Sequence, residues 1–170
     1  MSERGFTVQG ARLGIYLNDH LAGATFGVGI ARRIAHQHRR SGGGADLERI
    51  AEDIAQDRQT LLAIMGSLGV PARRYKIYGG WAAERLARLK SNGVLYRRSG
   101  LSALIELETL RLGVEGKTLI WRTLLVIATD RHDLDESLLR SLLSRARDQI
   151  ETLEALRLEA VAATFSPESG

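Results

Sequence analysis

Proline stands at only two positions in this chain of 170 residues, Pro71 and Pro167. A proline inside a helix removes a backbone donor and clashes with the carbonyl four residues back. Its scarcity therefore leaves two long tracts, before and after residue 71, free to form uninterrupted helices. Leucine, alanine, arginine and glutamate, all good helix formers, fill both tracts. Apolar residues recur at steps of three and four, and no alternating run is long enough to build a sheet.

This spacing predicts a first helix over residues 11 to 40, with Leu13, Leu17, His20, Ala24, Gly27, Ala31, Ile34 and His38 on one face. Gly23, Ala24, Gly27, Gly29 and Ala31 make its middle small, which suits a closely packed helix pair. Ser41-Gly42-Gly43-Gly44 breaks the pattern, and Asp46 is the expected N-cap of a second helix. The inner side of that helix is Leu47, Ile50, Ile54, Asp57, Leu61, Ile64, Met65 and Leu68, and Gly69-Val70-Pro71 stops it. A third helix follows at 101 to 129. One seam on it runs through Leu101, Leu104, Ile105, Glu108, Leu112, Glu115 and Leu119, broadened by Leu107, Leu110, Val114, Trp121, Leu124, Leu125 and Ala128. Asp133, with Glu136 three residues on, is expected to start a fourth helix carrying Leu139, Leu142, Leu143, Ala146, Gln149, Ile150, Leu153, Leu156, Ala160 and Val161.

Short links within each pair predict two antiparallel hairpins, and residues 72 to 100 read as a long crossover between them containing a short helix after Gly79-Gly80. The expected fold is all-α, a single four-helix-bundle domain over 1–170 with its core in 11–163. Of the formal charge of +4, the crossover alone carries about +7, from Arg73, Arg74, Lys76, Arg85, Arg88, Lys90, Arg97 and Arg98 against Glu84. The absence of cysteine excludes disulfides, thiolate metal sites and cysteine nucleophiles. No stretch approaches the roughly 20 apolar residues that cross a bilayer, and the start of the chain has no apolar leader, so the expected setting is the cytoplasm, away from membranes.

Polar residues interrupt the apolar faces. His20, Asp57, Glu108 and Gln149, one from each long helix, can form a central polar layer that fixes helix register or holds a metal. Asp19, Asp53 and Glu151 are secondary acidic candidates. A short Gly-x-x-Gly-Lys-Thr run at residues 113 to 118 lacks the full spacing and preceding strand of a phosphate loop.

The two-hairpin layout and one inward polar residue per helix resemble the ferritin-like superfamily. Over roughly residues 11 to 163 the chain resembles small uncharacterised bacterial helical-bundle proteins of that type, through Tyr16-Leu17-Asn18-Asp19-His20-Leu21-Ala22-Gly23, Glu52-Asp53-Ile54-Ala55-Gln56-Asp57, Leu89-Lys90-Ser91-Asn92-Gly93 and Glu106-Leu107-Glu108-Thr109-Leu110. The resemblance implies the ferritin-like bundle. Metal-binding members carry Glu-x-x-His pairs on two helices, and neither pair exists here. Asp53 or Asp57, and Gln149 or Glu151, would have to replace those ligands, with His20 as an added one.

The leading functional reading is a noncatalytic bundle acting through protein interaction or self-association, as a homodimer joined by surplus apolar surface, with no cofactor. The enzyme alternative is metal-dependent, with Fe, Mn or Zn held by a degenerate ligand set at the central layer. Another alternative places an acidic protein or nucleic acid on Arg73, Arg74, Lys76, Arg85, Arg88 and Lys90, where Tyr75, Tyr78, Trp81 and Tyr96 can stack on bases.

Overall fold

In the described residues of the computed structural model, 8–73, 100–131 and 133–166, regular structure is all helical. The helices are α1 (Val8–His38), α2 (Gly44–Ser67), α3 (Gly100–Ala128) and α4 (Glu136–Phe165). The predicted basic crossover, its short helix, and Arg74, Lys76, Arg85, Arg88 and Lys90 lie outside the described residues.

Local chemistry sets the helix ends, at places slightly different from those read in sequence. Gly69 takes a left-handed φ of 67°, and Val70 N–H closes back onto the Met65 carbonyl at 2.9 Å. This left-handed cap satisfies a terminal carbonyl that has no partner within the helix. The N-cap of α2 is Gly43, which makes no side-chain cap bond. Asp46 lies inside the first turn and accepts from Arg49 at 2.9 Å, so it is not the cap the sequence suggested. A side chain on Gly44 would collide with the His38 and Arg39 carbonyls, which explains a glycine at this tight corner. Asp135 caps α4 by accepting from Ser137 N–H and Leu138 N–H at 2.8 and 3.1 Å. Asp133 instead forms a two-pronged pair with Arg131.

Helix α1 packs on α2 and α3 packs on α4, while α1 also meets α3 and α2 touches α4. Cross-helix bonds fix the directions. The Tyr16 and Thr123 hydroxyls lie 3.0 Å apart at one end of the α1–α3 seam, and His38 meets Glu106 at 3.2 Å at the other. Gln149 bonds Asp53 and Arg145 bonds Gln56 along the α2–α4 seam. Each helix is therefore antiparallel to both neighbours, and the end of α2 and the start of α3 lie at opposite ends of the bundle.

The interior has two oily clusters. One joins Leu17, Leu21, Leu61, Met65, Ile120, Trp121, Leu124, Leu139 and Leu142; the other joins Ile30, Ile34, Leu47, Ile50, Ile54, Leu107, Leu110, Val114, Ala146 and Leu153. At about 1.5–3 kcal/mol for each large side chain taken from water, these clusters carry the fold. The inner face of α2 is the one its periodicity predicts. On α3 the seam is different: Leu104, Leu107, Leu110, Val114, Ile120, Trp121, Leu124 and Ala128 face inward, while Ile105, Leu112 and Leu119 face out. Nor do the glycines of α1 mark a tight helix pair, since a side chain at Gly23, Gly27 or Gly29 would meet nothing within 4 Å.

Candidate functional site

Between the two oily clusters lies a layer of charge. Asp57 on α2 is 2 % exposed and Gln149 on α4 is fully buried. Both are reached by Lys117 of α3, whose Nζ donates to Asp57 Oδ2 and, at 2.6 Å, to Gln149 Oε1. Arg145 of α4 donates to Asp57 Oδ1 through one nitrogen and to Gln56 Oε1 at 2.7 Å through the other. Gln149 Nε2 then donates to Asp53 Oδ2 at 3.2 Å. The chain of bonds contains two carboxylates and two cations, so its formal charge balances, as buried ionic groups require. Burial holds the Lys117 ammonium below the usual lysine range; the Asp57 charge opposes that shift and Arg145 adds to it.

Of the four residues expected in a central layer, the structure brings Asp57 and Gln149 together and leaves two aside. Glu108 is about half exposed and lies 3.8 Å from Arg157. His20 is half-buried, with its ring edge-on to Tyr16 at a centroid distance of 4.6 Å. Asp53 joins the layer, whereas Asp19 and Glu151 are exposed. Lys117 and Arg145 are the members that the sequence reading missed.

Both Asp57 oxygens are already engaged by cations, an environment that opposes adding a divalent ion. Among the described residues no group of three or more His, Asp or Glu is placed to hold a metal. A shallow groove of about 210 Å³ lies away from this layer, lined by Thr60, Ile64, Ser67, Leu134 and Leu138 among others. Its Thr60 and Ser67 hydroxyls donate to carbonyls of their own helix. Arg73 is exposed, and its backbone N–H donates at 2.9 Å to the buried Asn18 side chain, which also donates to the Pro71 carbonyl. Asn18 thus pins the segment leaving α2 onto α1.

No protein-family model, curated protein or solved structure matches the chain. Among the described residues no helix is long and apolar enough to cross a membrane.

A second feature lies on the opposite side of α3 from its buried face. Ile105, Leu112, Leu119 and Val126 are all exposed, Leu112 and Val126 by 68 % and 75 %. They stand seven residues apart, so they form one row along the helix. Glu108, Glu115 and Arg122 flank the row on one side, and Thr109, Gly116 and Thr123 on the other.

His20 gives a pH-dependent expectation. Burial holds its imidazolium below the ordinary value of 6.5, against the pull of Asp19. The unfolded chain then binds the proton more readily than the folded one, so stability is full above about pH 6.5 and falls as the pH drops towards the lower folded value. His20→Gln is expected to flatten this part of the profile, read as denaturation midpoints between pH 7 and 5. An unchanged slope would assign the acid sensitivity to other groups.

Proposed function

We propose that this chain is a noncatalytic helical-bundle protein of the cytoplasm that works by binding protein through the outer face of α3. The row of Ile105, Leu112, Leu119 and Val126 carries this reading. Scattered apolar residues are normal on a protein surface, but four exposed ones recurring on a single face of one helix mark an interaction surface. The buried polar groups, by contrast, are committed to one another: Asp57, Lys117 and Gln149 bond within the layer. A ferritin-like layout belongs to the same proposal, supported by α2 and α3 running in the same direction.

The test compares stability with exposure. Leu112→Glu combined with Leu119→Glu is expected to leave the urea midpoint almost unchanged, within about 0.5 kcal/mol per position, as for surface substitutions. A loss of about 2–5 kcal/mol per position, as for core leucines, would show that the row is packed inside the native protein. The interaction reading would then fail.

A further inference from the structure

The even spacing of the row on α3 allows it to face a second copy of itself. Ile105 and Val126 are equally distant in sequence from the midpoint between Glu115 and Gly116, and so are Leu112 and Leu119. We infer that the face binds a second copy of itself, α3 against α3 in antiparallel orientation about a twofold axis near residues 115 and 116. This rests on the reading of the α3 face as an interaction surface and names its occupant.

Three observations converge on it. First, the row fills one of the two positions per seven residues at which paired helices meet, and the twofold axis sets Ile105 against Val126 of the second copy and Leu112 against its Leu119. A closed pair of this kind uses the same patch on both chains and leaves no open end to polymerise. Second, the flanking charges reverse sign along the helix. An antiparallel pair puts Glu108 opposite Arg122 of the second copy, twice by symmetry. A parallel pair would set the Glu108, Glu115 and Arg122 flank of one copy against the uncharged Thr109, Gly116 and Thr123 flank of the other, with no attractive match. The antiparallel arrangement makes one like-charge contact, Glu115 with Glu115 at the centre, and Arg111 of the same helix lies 3.6 Å from Glu115 to offset it. Third, the axis passes beside Gly116, where an added side chain would meet nothing within 4 Å. The space is open, and the missing side chain lets two helix backbones approach closely.

The paired stretch from residue 105 to 126 spans about 32 Å at 1.5 Å per residue. A single pair of helices lies at the small end of specific interfaces. The dimer is therefore reversible, with a dissociation constant on the order of micromolar.

The full-length chain, which has no native cysteine, suits a direct test. Sedimentation equilibrium from about 1 to 500 μM should show a monomer–dimer transition that Leu112→Glu with Leu119→Glu abolishes. Glu108→Arg should weaken the dimer roughly tenfold, and adding Arg122→Glu should restore most of that loss. Under mild oxidation Gly116→Cys should cross-link two chains, as should Ile105→Cys combined with Val126→Cys. Ile105→Cys alone should not, because its two copies lie about 30 Å apart in this arrangement. A chain that stays monomeric throughout, a dimer that survives the two glutamates, or efficient cross-linking by Ile105→Cys alone would overturn the inference. If the two-glutamate variant is as stable as the parent while the parent is monomeric, only the self-pairing falls; if that variant is destabilised like a core mutant, the interaction reading falls with it.

Discussion

Asp57→Leu is expected to destabilise the bundle by about 3–5 kcal/mol, the usual cost of removing one partner from a buried ionic cluster. Asp57 is 2 % exposed and accepts from both Lys117 and Arg145. Without it, two cations face each other across an interior that screens them poorly. For a chain of this size the loss corresponds to a fall of roughly 10 °C in melting temperature. Urea denaturation of parent and variant checks the figure. Adding Lys117→Met and Arg145→Leu should recover most of the loss, since removing all the charges removes the stranded ones as well. A single-variant loss below about 1 kcal/mol would mean that solvent reaches the layer and that its ion pairs behave as surface pairs.

Trp121→Ala is expected to cost about 3–5 kcal/mol, and Trp121→Phe no more than about 1.5 kcal/mol. The indole is 1 % exposed within the cluster of Leu17, Leu21, Leu61 and Leu124, so truncation to alanine leaves a large cavity. The indole Nε1–H, however, finds no acceptor among the described residues. A buried donor left unpaired costs about 1–3 kcal/mol; phenylalanine removes that donor while keeping most of the ring. The pair of variants separates the two effects in one denaturation series. Equal losses for alanine and phenylalanine would show that the indole nitrogen does have a partner.

The helices were legible in the sequence because proline scarcity and the three-and-four spacing leave few alternatives. So was the inner face of α2, where a single apolar stripe includes Asp57. Gln149 was found in the same way on α4. Helix α3 misled because it is apolar on two sides. The choice of the Ile105, Leu112 and Leu119 row as the inner seam brought Glu108 inward with it, whereas burial of Trp121 and Leu124 turns both outward. Lys117 belongs to the Gly-x-x-Gly-Lys-Thr run, yet it also falls at the right step in the series Leu110, Val114, Lys117, Trp121 and Leu124. Arg145 similarly stands between Leu142 and Gln149 at helical spacing. A basic residue in the step of an apolar stripe, facing a carboxylate in the stripe of another helix, was the signal available. His20 also sits in a stripe by spacing, but its position beside Tyr16 leaves it at the edge of the bundle.

The charge layer gives this small protein two interiors. Each is built from parts of every helix, with little oily surface shared across the middle. Loss of a leucine near Trp121 removes contacts within one cluster, while the side chains around Ile34 and Leu153 pack in the other. The four unbroken helices and the buried ion pairs between the clusters tie the two ends together.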